Sequence, residues 1–115
     1  MLKSPEFSVR TRSLDGYCVV SAYGELDMFT APQLEQALAG SSDGVPVIVD
    51  LRKVTFLASH GIRVLLKERS GRRPVLVVEP GSQIMRLFDI VDPTHNVPLF
   101  PSVKAAIEGA TKGSS

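Results

Sequence analysis

The sequence predicts a single α/β domain, a mixed β-sheet that begins with an antiparallel hairpin and carries about four helices packed on it. Three observations lead there. An initial pair of extended runs is joined by a short turn, and after it extended runs and helical stripes alternate along the chain. Each helical segment shows one apolar stripe rather than apolar residues all round, so it covers a sheet. The 115 residues suffice for one core of ordinary size.

The first run, F-S-V-R-T-R from Phe7 to Arg12, alternates apolar and polar residues; Leu14-Asp15-Gly16 makes a turn, and Tyr17 to Tyr23 is the second run. A helix follows. Thr30 is placed as its N-cap, Pro32 sits in the first turn, and Gln33 completes a T-x-x-Q capping box, with Leu34, Ala37 and Leu38 as the apolar stripe and Gly40 as the stop. After the 41–44 loop, V-P-V-I-V-D-L from Val45 to Leu51 is nearly continuous and β-branched, which predicts a central strand covered on both faces.

An abrupt corner at T-F-L-A-S-H-G-I-R-V-L-L, Thr55 to Leu66, leads into a helix with Ile62, Leu65 and Leu66 on its stripe, ending at Ser70-Gly71. Pro74 to Val78 is a second buried strand. Ser82 caps a helix carrying Ile84, Leu87, Phe88 and Val91, which Asp92-Pro93 stops. Val97 to Phe100 is a short last strand and Ser102 to Ala110 a terminal helix. Residues 1–110 are therefore expected to form the domain and residues 111–115 a flexible C-terminal tail.

Composition narrows the function classes. The net charge of +1 gives no whole-chain steering toward nucleic acid or anionic lipid. Arg52, Lys53, Arg63, Lys67, Arg69, Arg72 and Arg73 gather mid-chain with Glu68 the acid among them, a pattern expected of a solvated helix face and its exit loop or, as the alternative, of a surface for an acidic or phosphorylated partner. Aromatic residues do not interleave with this cluster as a stacking platform would require, so direct nucleic-acid binding is not expected. The lone Cys18 excludes an intrachain disulfide framework and fits a reducing cytoplasm. The start of the chain lacks the apolar region of a signal peptide, and no segment approaches the roughly 18 apolar residues of a membrane span. No G-x-G-x-x-G follows a strand, no Walker A sequence occurs, and no His/Cys/carboxylate cluster has metal spacing, so neither cofactor nor metal is expected.

The G-E-L-D…T-A stretch from Gly24 and the V-x-V-D-L…V-T-F-L-x-S-x-G-x-x-V-L-L stretch near residue 50 occur in one chain. A V-L-V-V strand and an R-L-F helix follow. In that order, over about Phe7 to Glu108, they resemble the STAS domain of anti-sigma-factor antagonists. In that family the corner usually reads D-S-S-G or D-S-T-G, and the serine after the aspartate is phosphorylated by a partner kinase that is also the anti-sigma factor. Alignment puts Ser59 at the phosphoacceptor place, with Ala58 where the aspartate stands and His60 where the second hydroxyl residue stands.

The residues themselves leave two roles open for Ser59. A serine at a strand-to-helix junction can cap the helix with its hydroxyl. A phosphate there would also face free backbone N–H groups and the positive end of the helix dipole, a favourable contribution of about 0.3–1 kcal/mol. Hydrolase chemistry by Ser59 and His60 is excluded on spacing, since adjacent helical residues point away from one another and no G-x-S-x-G elbow surrounds them, so no catalytic residues are assigned. His60 is expected as an exposed contact residue and His95 as a loop residue. Asp27 is expected either to hold the turn between strand and helix or, as the resemblance implies, to lie near the phosphoserine on the partner surface.

The resemblance implies a cytoplasmic regulatory protein, not an enzyme, whose partner is an anti-sigma factor of the ATPase-type serine kinase class. Phosphorylation of Ser59 would switch binding off, and a PP2C-type phosphatase would restore it. Asp27, Ala58, Ser59, His60, Gly61 and Arg63 would form the partner surface. The alternative is a STAS domain serving as a non-phosphorylated scaffold or small-ligand module. The stretch from Ile62 to Gly71 is also shorter than the family's usual second helix.

Overall fold

The computed structural model describes residues 7–41, 44–69, 71–94 and 96–113. The expectations for Met1–Glu6, for the middle of the 41–44 loop, and for Ser70, His95, Ser114 and Ser115 lie outside the described residues. Five strands and four helices follow in the order β1 (Ser8–Leu14), β2 (Tyr17–Leu26), α1 (Ala31–Ala39), β3 (Val47–Leu57), α2 (Ser59–Leu66), β4 (Val75–Val77), α3 (Gln83–Val91), β5 (Leu99–Phe100) and α4 (Val103–Gly113). The strands lie in that same order across one sheet. β1 and β2 are antiparallel, and every later pairing is parallel.

The hairpin turns on Asp15 and Gly16, whose φ angles of 51° and 83° are those of a two-residue turn matched to the twist of the strands. Alternation then sorts the sheet into two faces. Val20, Ala22, Val49, Leu51 and Leu76 face α1, α2 and α3, which contribute Leu34, Leu38, Leu65 and Phe88 to the larger core. Val19, Ile48 and Val77 face the other way and meet Val103 and Ala106 of α4. The sheet is thus buried on both faces at β3, the central strand, as its β-branched run predicts.

β3 departs from expectation in length. It runs to Leu57 rather than ending near Leu51, directly into the corner. Its buried positions Leu51, Val54 and Leu57 recur every third residue, which plain alternation forbids. Two irregularities in the pairing with β2 explain this: between Ser21 and Tyr23, and between Gly24 and Glu25, β3 spends one extra residue. Each extra residue resets which face looks inward, so the strand continues through polar Arg52 and Lys53.

Four helix ends also differ, one of them the C-terminus of α2, which stops at Leu66 with Lys67 in extended backbone rather than running on to Ser70-Gly71. The T-x-x-Q capping box does not form, because the Thr30 hydroxyl turns back to accept from the Asp27 N–H (2.9 Å) and donate to the Glu25 carbonyl (2.8 Å). Ser59 is the first residue of α2 and not its cap; Ala58 occupies the cap position and offers no side-chain hydrogen bond. At the C-terminus α4 continues to Gly113, past the tail expected from residue 111. Ser82 does cap α3, accepting from the Met85 N–H at 3.1 Å. The stop at Asp92 has a specific chemistry: this buried carboxylate accepts from the N–H groups of Asn96 (3.0 Å) and Val97 (2.9 Å), tying the helix end to the chain that enters β5.

Candidate functional site

The two strand-to-helix junctions singled out by the sequence lie side by side. Leu26 pairs with Leu57 in the register of β2 and β3, and the Ala58 N–H donates to the Leu26 carbonyl at 2.9 Å. β2 therefore ends where α2 begins, and the Asp27–Thr30 turn stands next to the Ser59 corner.

Each junction is held by a different device. At the first, Asp27 Oδ1 accepts from the N–H groups of Phe29 (2.9 Å) and Thr30 (3.1 Å), while its carbonyl accepts from Ala31 (2.8 Å). The half-buried carboxylate thus closes the turn that leads into α1, bonding the N–H groups of Phe29 and of the cap residue Thr30, while the Gln33 N–H that a capping Thr30 side chain would bond goes to the Thr30 carbonyl (3.0 Å). It also fixes the backbone that presents two large apolar side chains to solvent: Met28 is 55% and Phe29 84% exposed.

At the second junction the device is Gly61. A Cβ added there would lie 2.6 Å from Leu26 Cγ and 2.9 Å from Leu57 Cδ1, so the first turn of α2 rests directly on the ends of β2 and β3. Gly61, which the resemblance places on the partner surface, is buried, and at this position it lets the helix approach. Ala58 is half-buried in extended backbone. Ser59 and His60, by contrast, are exposed. Among the described residues the Ser59 hydroxyl has no hydrogen-bond partner, and with Ala58 at the cap the first N–H groups of α2 have no side-chain acceptor.

Between α1 and α2 runs an open groove of about 860 Å³. Met28, Ala31, Pro32, Ile62, Leu66 and Val91 make its apolar floor and walls, and Ser59, His60 and Arg63 stand on its α2 side. Of the expected site residues the fold thus brings Ser59, His60 and Arg63 onto one groove, with Asp27 holding the loop that supplies Met28. Met28 and Val91 were not expected. The adjacent Met-Phe pair in a turn was the available signal for the first, while Val91 reads as part of its own helix stripe.

The basic residues expected as a solvated face are mostly engaged. Arg69 grips Glu35 through two nitrogens (2.8 and 3.2 Å), bracing α1 against the exit of α2, and Lys67 stands 3.9 Å from the same carboxylate. Arg73 pairs with Glu68 at 3.2 Å and Arg72 donates to the Gly44 carbonyl at 3.1 Å. Arg52 binds Asp50 on the opposite face of the sheet at 2.8 and 3.0 Å. Burial pushes the Asp50 carboxyl up, but the hydrogen bonds and charge of Arg52, with the charge of Arg12, outweigh it and hold the group below its ordinary value. Arg63 has no hydrogen bond or ion pair among the described residues, and it is exposed.

Among the described residues no cluster of His, Cys, Asp or Glu could hold a metal ion, and no helix is long and apolar enough to cross a membrane.

Comparison with known proteins gives the same direction from sequence and from fold. Residues 8–106 match the family model of the STAS domain. The chain is 30% identical over 104 residues to the anti-sigma-F factor antagonist RsfB of Mycobacterium tuberculosis, covering 86% of this chain and 85% of that relative. The crystal structure of an anti-sigma factor antagonist from Mycobacterium paratuberculosis superposes with a TM-score of 0.79 at 31% identity, over 94% of this chain and 97% of that one. The anti-sigma factor antagonist SpoIIAA in its unphosphorylated form has a TM-score of 0.70 over 91% of this chain and 97% of its own, and at 16% identity that likeness is one of fold.

Proposed function

Because this chain belongs to the STAS domain family of anti-sigma factor antagonists, we propose that it binds an anti-sigma factor of the ATPase-type serine kinase class through the Ser59 corner and the α1/α2 groove. Binding would occupy the anti-sigma factor in the cytoplasm and release a sigma factor for RNA polymerase. Ser59, His60, Arg63 and Ala58 would contribute from the corner. Asp27 would act by holding the loop that carries Met28 and Phe29.

The observation that carries this reading is the exposed Ser59 hydroxyl, without a hydrogen-bond partner among the described residues, at the rim of an apolar groove. A groove of that kind binds by excluding water, with a few apolar anchors supplying most of the affinity. The kinase would transfer the γ-phosphoryl group of ATP to Ser59 Oγ, with ADP leaving and the hydroxyl proton lost to a base on the kinase. The product carries about −1.5 to −2 charges at the rim. Packing a partner against it would require stripping water from that charge, so binding falls. A PP2C-type phosphatase would hydrolyse the ester with water, releasing inorganic phosphate and regenerating the binding form.

The test is direct. Purified ATPase-type anti-sigma factors of the source organism are each mixed with the protein, with and without magnesium and ATP, and followed by calorimetry and peptide mass mapping. The reading expects one clear binder and, with ATP, one phosphoryl group on the peptide containing Ser59. A partner that binds but leaves Ser59 unmodified would favour the non-phosphorylated scaffold, for which Ala58 in the family's aspartate position is the specific observation.

A further inference from the structure

Ser59 and Arg63 are four residues apart on α2, on one face of the helix, and both line the groove. The other charged or titratable groups lining that groove are Glu35, His60 and Lys67. Glu35 is held by Arg69 at 2.8 Å, with Lys67 at 3.9 Å. Arg63 is left as a cation with no acid of its own among the described residues, at the edge of an apolar surface. Two anions could claim it at different times. One is a carboxylate of a docked partner, since a free guanidinium beside an apolar groove calls for an acidic residue opposite it. The other is a phosphate one helical turn away.

We propose that Arg63 is the residue through which modification of Ser59 is read. In the unmodified protein its guanidinium pairs with a carboxylate of the anti-sigma factor. In the phosphorylated protein it turns to the Ser59 phosphate, a fork-shaped donor on a dianion, and is withdrawn from the partner. The switch then has two parts: a charge added at the rim and a cation removed from the interface. The proposal rests on the reading of Ser59 as a phosphoacceptor.

The experiment installs phosphoserine at position 59 during translation, which needs no kinase, in the wild-type background and in Arg63→Gln, His60→Gln and Lys67→Gln. Phosphorus NMR against pH then follows the second ionisation of the phosphate. The expected result is a titration about half a unit higher in Arg63→Gln than in wild type, with smaller changes in the other two variants. Equal titration in wild type and Arg63→Gln overturns the proposal while leaving the phosphoacceptor reading intact.

A binding arm uses the purified anti-sigma factor identified as above. Arg63→Gln should weaken the unmodified protein about tenfold, and phosphate should then weaken it further by much less than it weakens wild type. Losses that simply multiply contradict the proposal. Failure of every candidate anti-sigma factor to bind the unmodified protein would count against the functional reading instead, and the NMR result would stand apart from it.

Discussion

The Ala58 N–H donates to the Leu26 carbonyl at 2.9 Å, which welds the end of β2 to the start of α2. This contact sets the Asp27 turn beside the Ser59 corner.

Gly61→Ala should be destabilising by about 1–3 kcal/mol, because the new methyl meets Leu26 and Leu57 well inside contact distance and the helix must lift. Urea unfolding measures it. Leu26 and Leu57 are flexible only at their ends, and both are buried, so a change below about 0.5 kcal/mol would show that α2 is not seated as described.

Asp27→Ala should cost about 0.5–1.5 kcal/mol, since its carboxylate accepts from two backbone N–H groups of the turn that precedes α1. Asp27→Asn keeps an acceptor oxygen and should retain most of the stability. Thermal melts of both variants decide it, and equal melting of Asp27→Ala and wild type would contradict the role of this carboxylate in the turn.

Arg52→Gln should lower stability at neutral pH and leave it nearly unchanged in strong acid. The sign follows from Asp50, whose folded pKa lies below its unfolded one. Its stabilising contribution is complete above the unfolded value near pH 4 and disappears as pH falls through the folded value. Denaturant unfolding of wild type and variant from pH 7 downward should give a difference that is full at neutral pH and shrinks as the pH falls below about 4. A difference that persists unchanged in acid would mean that Arg52 acts through packing rather than through its charge.

Ser59→Ala should cost less than about 0.5 kcal/mol, because the hydroxyl lies outside the cap position and makes no hydrogen bond among the described residues. A loss in the range of about 1–2 kcal/mol would restore the cap role that a serine at a strand-to-helix corner suggests. Chemical denaturation is sufficient to tell them apart.

Much of this fold was legible because its signals are local. The Asp15-Gly16 turn, the β-branched run ahead of Leu51, the Ser82 cap and the Asp92 stop each declare themselves within a few residues. What was not legible depends on pairing across the chain. The irregular register of β3 against β2, which carries the strand to Leu57, is set by how two distant segments match, and Arg52-Lys53 disguises it. Thr30 had the right spacing for a capping box, but its hydroxyl found the Glu25 carbonyl and the Asp27 N–H first. At the site, Ser59, His60 and Arg63 could be read from one short motif, whereas Gly61 reads as part of the surface until Leu26 and Leu57 are placed beneath it. The groove itself joins α1 to α2 and belongs to no single stretch of sequence.

The most direct test of the central claim is the affinity of one anti-sigma factor for this protein with Ser59 unmodified and with phosphoserine at that position, measured by calorimetry on the same preparation of partner. The account predicts tight binding of the unmodified form and a loss of tenfold or more, about 1.4 kcal/mol or greater, on phosphorylation. Equal affinity of the two forms would contradict it and leave Ser59 as an ordinary first residue of a helix.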